Sequence, residues 1–206
     1  MNRIRLIAFT VFSSIFINGS AFALTAEEVA GKLSSAPVIE AGFTQTRILK
    51  GASKPLVSRG SMTAVRGEGV LWDQVSPFSE RVTVAREKIT IEREGEKPEV
   101  LTASANPEAF SFSRLMMGLM SGDLSGIRSS FTIASVREEK GGGWRMDLRP
   151  KARRLKAAFR GVSLSGDTFV KRIDIESQSG ENSSIAFTGA RESDAIPQEA
   201  RTRLGR

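Results

Sequence analysis

The chain contains no histidine, no cysteine and no tyrosine. That removes Ser-His and Cys-His pairs and any imidazole that titrates near neutral pH. A zinc site would need carboxylates alone, an unusual donor set for that metal. Carboxylate-only chemistry such as glycoside hydrolysis stays formally open, but the acids fall mostly in polar turns and on strands beside Lys or Arg. No GxxxxGK[ST] loop offers nucleotide energy. Catalytic residues, metal ligands and cofactors are therefore not expected, and the residues with a distinctive spacing are apolar. Phe112, Leu115, Met116, Leu119 and Met120 fall at i, i+3, i+4, i+7 and i+8, one face of a helix. Methionine is unbranched and adaptable, which suits a surface that fits chains of variable shape. The same residues would also serve to plug a barrel core, and spacing alone does not choose between the two.

That stripe needs elements to hold it. Residues 1–23 read as a cleaved signal peptide: Arg3 and Arg5, the apolar run Leu6–Ile17, then Ala21-Phe22-Ala23 as a small-x-small cleavage site. The mature chain would begin at Leu24 and lie in the periplasm, and the apolar run is too short for the roughly 20 residues of a transmembrane helix. Thr25 and Glu28 have the spacing of a capping box for a short first helix ending near Leu33. Period-two alternation follows through Ile39–Thr44, Leu56–Val65, Val70–Trp72, Glu80–Val84 and Lys88–Ile91. Asn106-Pro107-Glu108 starts the striped helix, with a capping side chain, Pro at the first position and an acid at the dipole's positive end. Asp123–Ile127 adds a helical turn. Strands resume at Phe131–Arg137, Trp144–Arg149, Leu155–Leu164, Thr168–Ser177 and Ser183–Ala190. The expected fold is mainly β with helices (α+β). It is an incomplete antiparallel β-barrel, or strongly curved sheet, with a helical lid over its concave apolar face. One domain spans 24–190, and residues 191–206 form a polar, Arg-rich tail with no clear period, expected to be a loose extension.

The formal net charge is +7. Export argues against nucleic acid, and aromatic platforms for exposed bases are scarce. Attraction to anionic lipid surfaces and plain solubility both fit.

Several short motifs occur in a telling order. Phe43-Thr44-Gln45, Gly60-Ser61-Met62, Arg66, Leu71-Trp72-Asp73 and Ser76-Pro77, then Leu148-Arg149-Pro150-Lys151 and the run to Phe187, resemble the outer-membrane lipoprotein carrier (LolA-like) family. There are departures: Gly67 stands where the family usually has proline, and Val84-Ala85-Arg86-Glu87 replaces an S-D-G turn. The C-terminal F-x-P-P-x-G-like ending is missing. A divergent paralogue fits these differences. The resemblance implies a monomeric, non-enzymatic periplasmic carrier that shields acyl chains of a lipoprotein or other lipid-conjugated cargo. Such a carrier takes its cargo from an inner-membrane extractor and passes it to an outer-membrane acceptor. It also implies that Arg66 is a lid switch bonding to lid backbone, where a strand-end surface charge is the other reading. Phe43, Met62, Val70, Trp72 and Phe78 are the expected sheet side of the cavity, with Phe112, Leu115, Met116, Leu119 and Met120 on the lid. A periplasmic sensor or binding module for lipidated or misfolded envelope proteins is the alternative function on the same fold.

Overall fold

The computed structural model describes residues 24–205 apart from 103, 107, 108, 111, 112, 114, 116 and 119–122. The signal peptide and the lid residues Phe112, Met116, Leu119 and Met120 thus lie outside the described residues. Eleven strands form one antiparallel sheet. They are β1 (Val38–Arg47), β2 (Leu56–Val65), β3 (Gly69–Ser76), β4 (Glu80–Ala85), β5 (Lys88–Arg93) and β6 (Glu99–Thr102) in the first half. The second half holds β7 (Phe131–Glu139), β8 (Gly143–Pro150), β9 (Phe159–Gly166), β10 (Val170–Ser177) and β11 (Ser183–Ser193). Their spatial order is β6-β5-β4-β3-β2-β1-β11-β10-β9-β8-β7, so the sheet ends on β6 and β7 without closing. The expected incomplete barrel is borne out in this form. It consists of two hairpin meanders joined by the single long-range pairing of β1 with β11, in which Phe43 faces Phe187.

Alternation explains the two faces. On β1, Ile39, Ala41 and Phe43 point one way and are buried, while Glu40 and Thr44 point the other. Helix α1 (Ala26–Lys32) begins at the predicted capping box: Thr25 Oγ1 accepts from the Glu28 amide at 3.2 Å, and Glu28 returns a bond to the Thr25 amide at 2.7 Å. Those bonds from Thr25 hold the Glu28 carboxyl below the usual carboxylate range. Helix α2 (Leu124–Ser130), capped by Asp123 on the Ser125 amide, lies beside α1, and the Arg128–Glu27 ion pair links them.

Three expectations change. The segment Leu155–Leu164 is not one strand, because Arg153–Ala158 is a helix, α3, and β9 starts at Phe159. Leu155 is the buried residue of that turn, and the good helix formers around it dominate. Strand β6 is additional to those expected; its four residues are too few to show a period. The tail is not loose. β11 runs on to Ser193, and Gln198–Leu204 forms helix α4 on the outer face of the sheet. There Ala200 is buried with Val38, Val65 and Leu71, and Ile196 and Leu204 pack against them. Gly69 makes room for it: a Cβ there would come within 2.6 Å of Leu204 Cδ2 and 2.2 Å of the Val84 carbonyl oxygen.

The outer face near the β7 edge is tied together by Asp147. Its carboxylate accepts from Ser163 Oγ at 2.6 Å, Ser135 Oγ at 2.7 Å and Arg137 Nη1 at 2.8 Å, joining β7, β8 and β9. Burial pushes this carboxyl upward. The hydrogen bonds from Ser163, Ser135 and Arg137 outweigh it and hold the group well below the ordinary range. A depressed folded pKa stabilises the fold above the unfolded value and is lost as pH falls through the folded one. Urea unfolding should therefore find Asp147→Asn less stable than wild type by about 1–2 kcal/mol at pH 7. The gap should narrow as the pH falls below about 4; a gap that stays constant with pH would contradict the assignment.

A candidate apolar cavity and its helical cover

The inner face gathers the buried side chains of both meanders. Phe43, Met62, Val70, Ile173, Ile185 and Phe187 meet Trp144, Met146, Leu148, Val162 and Leu164 in one cluster, roofed by Val29 of α1, Ile127 of α2 and Leu115. Four of the five expected sheet residues are brought together here. Phe43, Met62 and Val70 are buried, and Trp72 is half-buried against them. Trp72 stacks on Phe43 with centroids 3.7 Å apart and meets Phe187 edge-on at 6.1 Å. The edge-on contact is a favourable arrangement for aromatic rings, and the three rings together make an apolar floor.

Phe78 is a correction. It lies in the turn after β3 and is 76% exposed, so it does not line this face. The alternation that places Val70 and Trp72 inward breaks before it, because Val75 is an extra residue: Arg59 pairs with Ser76 and Gly60 with Gln74.

Above the floor, the described residues 109, 110, 113, 115, 117 and 118 are helical. The Phe110 amide donates to the Asn106 carbonyl at 3.3 Å, the first-turn bond of a helix that starts where the sequence predicts. Leu115 is 0% exposed and belongs to the sheet's own cluster, and Phe110 and Ser113 are also buried. Gly118 sits tightly on α2, since a Cβ there would meet Asp123 O at 2.8 Å and Ile127 Cγ1 at 3.3 Å. Beside α1, between Leu33, Ile39, Met62, Phe169 and Ala190, the face leaves a cleft of about 10 Å³. That is room for roughly one water and far too little for an acyl chain. Leu115 and Ile127 cover the buried centre of the face, while Ala26, Phe131, Ile133 and Val136 line an open groove of about 430 Å³ beside α1 and α2.

Arg66 follows β2 and is half-buried. Its Nε donates to the Ala36 carbonyl at 3.2 Å and its Nη2 to the Ser34 carbonyl, both in the connection between α1 and β1. The same connection is held by Ser34 Oγ donating to Glu192 at 2.6 Å and by the Ser34 amide donating to the Thr168 carbonyl at 2.8 Å. Arg66 is therefore part of a polar node that fixes the end of α1 at the rim of the apolar face, and is more than a solvated charge.

Among the described residues no cluster of three or more His, Cys, Asp or Glu could hold a metal. No buried side-chain nitrogen or oxygen among them lacks a hydrogen-bond partner. Among the described residues, the buried centre of the inner face is built from apolar side chains. The sheet side of the cavity, as expected from the sequence, lay in the first meander alone. That expectation missed Phe187, Trp144, Met146, Leu148 and Leu164, whose period-two spacing was legible but whose shared face depends on the β1–β11 pairing.

Residues 18–205 match the family model described as outer membrane lipoprotein carrier protein LolA-like. An outer-membrane lipoprotein carrier protein from Dechloromonas aromatica (strain RCB) is 24% identical over 170 residues, covering 80% of this chain and 76% of that protein. A LolA superfamily protein from Nitrosomonas europaea superposes with a TM-score of 0.48 at 12% identity, over 86% of this chain and 97% of that one. In the Pseudomonas aeruginosa MucA/MucB complex, the similar chain gives a TM-score of 0.45 at 12% identity. That match covers 84% of this chain and 59% of that one.

Proposed function

The chain belongs to the LolA-like outer membrane lipoprotein carrier family, and from that premise we propose that it is a periplasmic, non-enzymatic carrier of acyl chains on their way to the outer membrane. The observation that carries this reading is the continuous apolar inner face, built from both meanders and roofed by a helical segment with Leu115 at its centre. Each CH₂ moved from a membrane into water costs roughly 0.8 kcal/mol unless it is buried again. A multiply acylated cargo therefore crosses the periplasm only inside an enclosure. Leu115 packs into the centre of the face, so cargo that reaches the centre displaces the cover, and the work of opening lowers net affinity enough to permit release. The helical segment is the lid, and the node around Arg66 sets how firmly α1 closes beside it. The cargo is an acylated lipoprotein or another lipid conjugate, received from an inner-membrane extractor and delivered to an outer-membrane acceptor.

Native mass spectrometry with lipid extraction, on protein recovered from the periplasm without detergent, tests this directly. A bound acylated species is expected, together with uptake of a fluorescent fatty-acyl probe by the delipidated protein. A clean apo mass with no probe uptake would overturn the carrier reading and favour a protein-binding sensor.

A further inference from the structure

Among the described residues, three of the four exposed large apolar side chains lie at one end of the sheet, the fourth being Val100 on the edge strand β6. Val75 is 70% exposed, Phe78 76% and Ile48 53%. Register places all three at the same end. The β1–β2 hairpin closes at Arg47–Leu56, Arg59 pairs with Ser76 beside the β3–β4 turn, and Arg47 also pairs with Ser183 at the β10–β11 turn. The Ile48 amide donates to the Asn182 carbonyl at 2.8 Å, tying two of these turns together. The exposed pair is held there by backbone structure. Val75 is the bulged residue of β3, and Gln74 Nε2 donates to the Phe78 carbonyl at 2.9 Å, bracing the turn from within.

Charge is distributed to match. The connection between β8 and β9, at this same end, exposes Lys151, Arg153, Arg154 and Lys156, and the β1–β2 turn adds Lys50 and Lys54. Glu94, Glu96 and Glu181 oppose them in the other turns of this end, and Lys97 adds a cation; Glu80, Glu94 and Glu96 stand beside Phe78 with Arg47 and Arg93, so the positive excess lies at the β1–β2 turn and the β8–β9 connection. Turns at the opposite end carry both signs together: Arg66 with Glu68, Arg86 with Glu87, Lys171 with Asp167.

We propose that this end is a membrane-docking surface, in which Phe78 and Val75 enter the interface of an anionic lipid bilayer while the lysines and arginines of the β1–β2 turn and the β8–β9 connection face its headgroups. Exposed apolar side chains beside basic ones gain from both terms at a negatively charged interface. The surface is separate from the acyl-binding face, so this proposal goes beyond the carrier reading and fails or stands apart from it.

The test is sedimentation of the exported protein with protein-free vesicles of phosphatidylethanolamine and phosphatidylglycerol, against vesicles of phosphatidylcholine alone, at low and high salt. Wild type is expected to bind the anionic vesicles preferentially and to lose binding as salt screens the charges. Phe78→Ser with Val75→Ser should lower partitioning at least about tenfold. Arg153→Glu with Arg154→Glu should also reduce it. Neither pair of changes should alter far-ultraviolet circular dichroism, thermal stability or uptake of the fatty-acyl probe. Absence of wild-type binding to anionic vesicles, or undiminished binding by the serine variant, would overturn the proposal even if acyl uptake is normal.

Discussion

Leu115→Ala is expected to tighten the binding of a fatty-acyl probe by at least about tenfold while lowering the protein's own stability. Leu115 is fully buried and packs into the cluster that includes Phe131, Trp144 and Leu148. Truncating such a leucine weakens the closed arrangement by about 2–5 kcal/mol. In an open state the side chain would face solvent and the truncation would cost little. The open fraction should rise by about 30-fold or more, and apparent affinity follows the open fraction until opening is complete. The figure of tenfold allows for contact between Leu115 and the cargo in the loaded state, which the alanine would lose. Probe titration checks the affinity, and hydrogen exchange over residues 109–118 should accelerate in the same variant. Lower stability without a gain in affinity would mean that the segment is a fixed part of the core, and the lid assignment would fall.

The largest stability effect outside the core is expected at Arg203. Its side chain is only 9% exposed. Its Nη1 donates to both Asp73 oxygens at 2.7 and 2.9 Å, its Nε to Thr83 Oγ1 at 3.0 Å and its Nη2 to the Val82 carbonyl at 3.3 Å. One guanidinium from α4 thereby satisfies groups on β3 and β4. Arg203→Ala removes the two-pronged partner of Asp73 and leaves it only Arg81 at 3.8 Å, and breaking such a partly buried pair costs about 2–4 kcal/mol. Thermal unfolding should shift down by roughly 5–12 °C for a chain of this size. Arg203→Lys should recover only part of the loss, because an ammonium cannot reproduce the planar fork. An unchanged melting temperature in Arg203→Ala would show that α4 contributes nothing to the fold. The acyl face lies on the other side of the sheet, so probe affinity is expected to stay close to wild type.

Much of the architecture was legible because it rests on local rules. The capping box at Thr25 and Glu28, the alternation through Ile39 and Phe43, and the glycine turn before Trp144 each declare themselves within a few residues. Helix α4 was not legible. Its polar composition reads as solvated, and its seat depends on the small Ala200, a glycine at position 69 and an arginine whose partners lie 120 or more residues earlier. Phe78 fails for the opposite reason: extending a period of two past Trp72 ignores the bulge at Val75 that ends it. The floor of the cavity was half read. Met62 and Trp72 are found by alternation within one meander, whereas Phe187 joins them only through long-range pairing.

The strand order also governs how the chain acquires its structure as it appears from its amino-terminal end. Each meander is a run of nearest-neighbour hairpins that can form as it appears, and loop closure within it is quick. The seam between β1 and β11 is different, because Val38 pairs with Ser193 and Arg47 with Ser183. Until the last strand has appeared, the amino-terminal meander waits with Phe43, Met62, Val70 and Trp72 uncovered. The interval before zippering is therefore the point of greatest aggregation risk, and the one at which assistance from a holding factor would have the most effect.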